Sequence, residues 1–158
     1  MKFPSVTLQF DLPQDRALNR TVTEADVVNF AALSWDTNQL HTDVEYARGT
    51  VFGERIAHGM LGIVVHSGLS QMLGIMEGTI LAFLEMTWKF HLPIKIGDTV
   101  HVVQRVKTMR ETSREQQGLL VFEKKLVNQR GKVVQTGTTT VLLARRPLTD
   151  RDEGLHLK

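Results

Sequence analysis

The sequence predicts an α+β domain in which an antiparallel sheet wraps around one buried helix. Three observations carry this. From Gly59 to Leu73 the apolar residues Met60, Leu61, Ile63, Val64, Val65, Leu69, Met72 and Leu73 lie almost all round a helix, and a helix apolar on most faces is a buried one. Four strand candidates follow with no helix between them: Ile80 to Phe90, Thr99 to Arg110, Leu119 to Asn128 and Lys132 to Ala144. Strands that succeed one another in this way form α+β sheets rather than alternating α/β ones. Asn128-Gln-Arg-Gly131 is a hairpin turn signal between the last two.

The other elements follow in order. Thr7 to Phe10 reads as a short opening strand. Thr21-Val-Thr-Glu24 has the spacing of a capping box. Val27, Phe30, Ala31 and Leu33 then fall at helical spacing, which predicts a helix ending near Ser34. Trp35 to Leu40 fits neither period and is expected as a loop. Asp43 is placed to cap a short helix over Val44 to Arg48 that Gly49 stops. Gly74 is the expected stop of the buried helix. Gly62 and Gly68 inside that helix each cost roughly 1 kcal/mol relative to Ala, and close approach by the sheet is the expected return. Pro93 to Asp98 joins the first two long strands, and Glu111 to Gln117 is a polar loop. The organisation expected is one domain over residues 1–146 and a polar, frayed tail over 147–158. A single open sheet has edges that invite pairing, so a homodimer is expected.

Composition narrows the class. The chain has 158 residues, 42% of them hydrophobic and 23% charged, which suffices for a core without a disulfide or metal staple. It contains no cysteine, which excludes disulfides, thiolate catalysis and Cys-based zinc sites. With 19 basic and 17 acidic residues the net charge is +2, too balanced for a nucleic-acid binder. No signal peptide and no apolar run of membrane-spanning length is read. A soluble cytoplasmic protein, without nucleic-acid or membrane partners, is expected.

The residues that suggest chemistry lie in two places. The stretch Ser34-Trp35-Asp36-Thr37-Asn38-Gln39-Leu40-His41 puts a carboxylate, an amide and an imidazole in one loop. A loop can converge such groups on one point. Asp accepts hydrogen bonds, Asn both donates and accepts, and His exchanges a proton near neutral pH. The same residue types are also common turn formers. The second place is Ile56-Ala57-His58-Gly59-Met60, at the start of the buried helix. Helix N-termini present unpaired N–H groups and partial positive charge, and Gly59 permits close approach to the backbone. In isolation it reads equally as a tight turn into the helix.

Ser34, Asp36, Asn38, His41 and Asp43, then Ala47, Phe52 and Ile56-Ala57-His58-Gly59-Met60-Leu61, resemble the pattern of the MaoC-like dehydratases and R-specific enoyl-CoA hydratases. Phe90, Pro93 and Gly97-Asp98 look like that family's first long strand and turn. The resemblance covers most of residues 20–145. It implies a hot-dog fold, an acyl-CoA substrate, and reversible water addition to a 2-enoyl thioester giving the R product. It also implies roles. Asp36 and His41 would hold and activate the water and return a proton to the α carbon. Asn38 would position the water or the pair, and the Gly59 N–H would bind the thioester oxygen. Ser67 matches a serine near the site in some members, but lies ~12 Å along an ideal helix from Gly59 and cannot share its task. No cofactor is implied beyond the coenzyme A of the substrate, which the slight positive charge would suit, and no metal is expected.

Two positions depart from the pattern. Trp35 stands where the family usually has glycine and Gln39 where it usually has proline. Trp35 would line or narrow the acyl pocket, or pack against the short helix. His58 is expected as a buried, hydrogen-bonded residue that fixes the start of the helix. Arg145-Arg146 could meet CoA phosphates or be simply solvated. Two other functions fit the same fold. A hot-dog thioesterase would be expected to carry an acidic residue on the buried helix, which has none. A non-catalytic acyl-binding or accessory subunit would be expected to lack Asp36 and His41.

Overall fold

The computed structural model describes residues 18–114 and 116–144. The expected opening strand at Thr7 to Phe10, the Arg145-Arg146 pair and the C-terminal tail lie outside the described residues. A short strand β1 (Asn19–Thr21) leads into helices α1 (Glu24–Ser34), α2 (Gln39–Thr42), α3 (Val44–Arg48) and α4 (Gly59–Met72). Strands β2 (Ile80–Phe90), β3 (Thr99–Glu111), β4 (Gln117–Asn128) and β5 (Val133–Ala144) complete the chain order. All pairings are antiparallel, in a five-stranded sheet of order β1-β3-β4-β5-β2.

The four long strands fall where the strand candidates lay, within one or two residues. The hairpin after β4 closes with Gly131 at φ 70° and Asn128 Oδ1 accepting from the N–H groups of Arg130 and Lys132. An Asx side chain that satisfies turn N–H groups is what makes this tetrapeptide a turn. The loop before β3 is held by Asp98, whose carboxylate accepts from the Lys95 N–H, the Gln129 amide and the Arg130 guanidinium. Burial of Asp98 acts the other way, yet these bonds and the Arg130 charge keep its carboxyl below the usual carboxylate range.

Three local expectations are corrected. The capping box lies two residues later than Thr21–Glu24: Thr23 caps α1, and the Asp26 side chain returns the bond to the Thr23 N–H. Asp supplies the reciprocal acceptor as well as Glu does, and it also meets Arg20 at 2.6 Å. The stretch from Trp35 to Leu40 is not loop throughout, because Asn38 caps the single turn α2 through its Oδ1 and the Leu40 N–H. Finally, α4 is not buried all round in the single chain. Leu61, Gly62, Val65, His66, Leu69 and Ser70 are buried, whereas Met60, Val64 and Met72 are exposed.

The inner face of α4 and the sheet form the core. Leu61, Val65 and Leu69 pack with Val22, Val27, Val100, Leu126 and Val134, and Phe122, Val106, Val141 and Leu143 form a second cluster with Met76. Gly62 pays its expected return: a Cβ there would lie 2.4 Å from Gln135 Nε2. Gly68 does not, since a Cβ there would meet nothing within 4 Å. Among the described residues no helix is long and apolar enough to cross a membrane.

Candidate active site

The chain turns sharply after α1. Ser34 Oγ donates to the Phe30 carbonyl at 2.6 Å and accepts from the Asp36 N–H, and Trp35 adopts the left-handed conformation at φ 61°. That conformation costs an L-residue roughly 1–2 kcal/mol, which explains a glycine at the corresponding position of the resembling family. The Trp35 side chain is 87% exposed, so within the single chain it neither lines a pocket nor packs on the short helix. Asp36 follows, exposed, with Oδ1 accepting from the Asn38 N–H at 3.3 Å.

His41 is half-buried on α2. Its Nδ1 lies 2.8 Å from the Ile56 carbonyl oxygen. A carbonyl only accepts, so Nδ1 carries the hydrogen and neutral His41 presents an unprotonated Nε2. His58 lies below it, 1% exposed, with Nε2 at 2.8 Å from the Asp36 carbonyl oxygen and ring centroid 3.9 Å from that of His41. One ligating atom each from Asp36, His41 and His58 lie within 4.8 Å of one another. The fold therefore joins the Asp-rich loop and the start of α4 into one cluster. That set of a carboxylate and two imidazoles could also hold a divalent cation, an arrangement the sequence reading did not anticipate.

Gly59 opens α4 immediately beside this cluster. As the first helical residue its N–H has no partner within the helix. Its carbonyl is held by the Gln135 amide at 2.9 Å, and Gln135 Oε1 in turn accepts from Trp88 Nε1 at 3.0 Å. On its other side the Phe90 ring approaches so closely that a Cβ at Gly59 would lie 3.0 Å from it. Gln135, 2% exposed on β5, was not singled out in the sequence, where nothing marks a strand glutamine as a contact of a helix 76 positions earlier.

The other expected residues are placed differently. Asn38 lies between Asp36 and His41 in the chain, and its Oδ1 is engaged as the α2 cap. Ser67 is exposed on α4 and does not join the cluster. Farther along α4, His66 is buried and meets Trp88 edge-on at 4.9 Å. Burial first, and then the Lys124 charge, push His66 down to about 3. Lys124 on β4 is itself pushed down to about 8 by burial.

A hot-dog arrangement with a polar cluster at the start of its helix defines a class. The MaoC-like domain family matches residues 7–130. The (R)-specific enoyl-CoA hydratase of Rhodospirillum rubrum is 39% identical over 140 residues, covering 84% of this chain and 88% of that protein. Among solved structures, an Archaeoglobus protein described as a monoamine oxidase regulatory protein superposes with a TM-score of 0.76 at 34% identity, over 83% of this chain and 88% of that one. The (R)-hydratase from A. caviae involved in PHA biosynthesis superposes with a TM-score of 0.66 at 33% identity, over 78% of this chain and 89% of that one. The fold is the hot-dog fold, and the chain belongs to the MaoC-like family.

Proposed function

We propose that this protein is an (R)-specific 2-enoyl-CoA hydratase, acting reversibly as a 3-hydroxyacyl-CoA dehydratase through Asp36 and His41. The coarser class is that of the MaoC-like hydratases and dehydratases, which are hydro-lyases, and relatives bearing those names span most of this chain. The observation that carries the finer reading is the gathering of Asp36 and His41 with His58 at the start of α4, where Gly59 is the first helical residue.

Hydration of an enoyl thioester has distinct needs. Water must lose a proton as its oxygen bonds to the β carbon, the α carbon must gain one, and the thioester oxygen must be stabilised as negative charge develops on it. Unprotonated His41 Nε2 and the Asp36 carboxylate are both acceptors, so a water between them is oriented by its two hydrogens. Protonated in the first half of the reaction, the pair then holds the proton that the α carbon receives. The Gly59 N–H, reinforced by the partial positive charge of the α4 N-terminus, is the donor for the thioester oxygen. The Asn38 amide nitrogen is assigned to fix the water. Each group is regenerated at the end of the cycle, and coenzyme A enters only as part of the substrate.

We further assign the active form to a homodimer joined along β2. Among the described residues that strand has one paired side, to β5, and it exposes Ile80, Phe83 and Leu84. A long apolar edge of this kind is a pairing surface.

The test is loss of enoyl absorbance with crotonyl-CoA and a longer 2-enoyl-CoA. Wild type is expected to consume the enoyl thioester and to give the R-3-hydroxy product. Asp36→Asn and His41→Ala are expected to lose at least about a hundredfold in kcat, the usual worth of a general acid–base group, while remaining folded. Thiol release without loss of the double bond would show a thioesterase and overturn the reading.

A further inference from the structure

We propose that His58 is a positioning residue that holds both members of the Asp36–His41 pair in register, one through its N–H and the other through its ring face. The kinetic half of this proposal rests on the hydratase reading; the spectroscopic half does not.

His58 precedes α4 and occupies its N-cap position, yet it makes no side-chain capping bond. Its side chain, almost fully buried, is turned instead toward the loop after α1. Nε2 sits 2.8 Å from the Asp36 carbonyl oxygen, an acceptor, so Nε2 carries the hydrogen and Nδ1 is the bare nitrogen. Nδ1 is buried with no hydrogen-bond partner. A hydrogen placed there instead would be a buried donor without a partner, so the Nε2–H tautomer is the one that fits this site. The contribution of His58 is to geometry.

Among the described residues, the bond to Asp36 is the one long-range hydrogen bond of that loop. The remaining described hydrogen bonds of residues 34–38 run to partners within residues 30–42, from Phe30 to Thr42. Local bonds shape the turn but cannot set its distance from another element. His58 Nε2 does, by fixing the Asp36 peptide 22 positions away against the start of α4.

The ring supplies the second hold. Its faces meet His41 at 3.9 Å, tilted 32°, and Phe30 at 5.0 Å, tilted 54°. The His58 ring thus touches both the His41 ring and that of Phe30 on α1. With the Nδ1 bond to the Ile56 carbonyl, the contact with His58 leaves His41 one ring plane and one tautomer. Both holds on His41 come from residues 56–58, the segment that delivers Gly59. A glutamine at position 58 would keep a donor near the place of Nε2 but offer no ring face. A phenylalanine would keep the face and lose the donor.

These two variants, His58→Gln and His58→Phe, make the test, together with ring-¹⁵N spectra of histidine-labelled protein. In wild type, His58 is expected as the Nε2–H tautomer and His41 as a single Nδ1–H tautomer. His58→Gln is expected to mix the His41 tautomers. Both variants are expected to lose about tenfold to a hundredfold in kcat, the scale of a small misplacement of reacting groups, with KM changed by less than about twofold. Wild-type kcat and an unmixed His41 in a folded His58→Gln variant would show that His58 only fills space and would overturn the proposal. So would a wild-type His58 seen as the Nδ1–H tautomer, a result that needs no variant to fold. Wild type that turns over no enoyl-CoA defeats the hydratase reading instead, and the His41 tautomer then decides the role of His58 by itself.

Discussion

Lys124 is a charge placed among apolar neighbours. It is 5% exposed on β4, its ammonium 5.7 Å from the Phe122 ring centroid, and no ion pair or hydrogen bond to it is described. Gln104, its cross-strand neighbour on β3, is equally buried, with both amide atoms lacking a partner. Burial brings Lys124 from the ordinary 10.5 to about 8. The sign follows from proton counting. Below pH 8 both the folded and unfolded chains hold the proton, and the folded chain bears the full desolvation cost, about 3 kcal/mol at 1.36 kcal/mol per pH unit. Between pH 8 and 10.5 only the unfolded chain keeps it, so stability rises with pH through that window. Lys124→Met is therefore expected to raise unfolding free energy at pH 7 by about 3 kcal/mol, with the gain shrinking toward pH 10.5. Denaturant titrations at both pH values measure it, and a loss of stability at pH 7 would mean that the ammonium has a stabilising partner.

The α4 element is set by what presses on it. Gly62 is required because the Gln135 amide occupies the space of its Cβ on the way to the Gly59 carbonyl. The Trp88 ring reaches Gln135 across Gly137, where a Cβ would lie 1.9 Å from the indole. Two glycines on different elements thus make room for one relay that holds the first turn of α4. Gly62→Ala is expected to displace Gln135 and to cost about 1–3 kcal/mol, the usual scale of overpacking. Gly68→Ala, with open space around its Cβ, is expected to be neutral or to gain up to about 1 kcal/mol from helix propensity. Thermal melts of the two variants decide this, and equal effects would remove the relay as the reason for Gly62.

At the scale of the molecule, the sheet formed by the described residues ends on β1, three residues long, and on β2, eleven residues long. Exposed apolar residues lie on β2 and, at Met60, Val64 and Met72, on α4, and exposed apolar surface of this kind suits an interface between copies. Light scattering is expected to give twice the chain mass. Phe83→Asp combined with Leu84→Lys, both in exposed positions on β2, is expected to yield monomer and to leave the Asp36–His41 cluster intact within each chain. A double variant that remains dimeric would place the interface elsewhere.

Much of this was written in local pattern. Strand-like runs bounded by turn residues located β2 to β5, and apolar spacing with caps and stops located α1, α3 and α4, because these signals act between residues a few positions apart. The nearness of Asp36 and His41 was also legible, since they lie five positions apart, whereas the roles proposed for them rest on a resemblance carried by specific residues. The errors were local as well: Thr21 and Thr23 both offer hydroxyls, and only the Arg20 and Asp26 geometry selects the second. The exposed face of α4 was misjudged because apolar periodicity counts every apolar residue and cannot tell which ones the sheet covers. What only the tertiary structure decided is how distant segments meet. It brought His58 under His41, set Gln135 beneath Gly59, and gave Trp35 a left-handed turn that a glycine would adopt without strain. Sequence spacing carries no record of such contacts, because they depend on where the sheet closes over the helix rather than on any residue's neighbours along the chain.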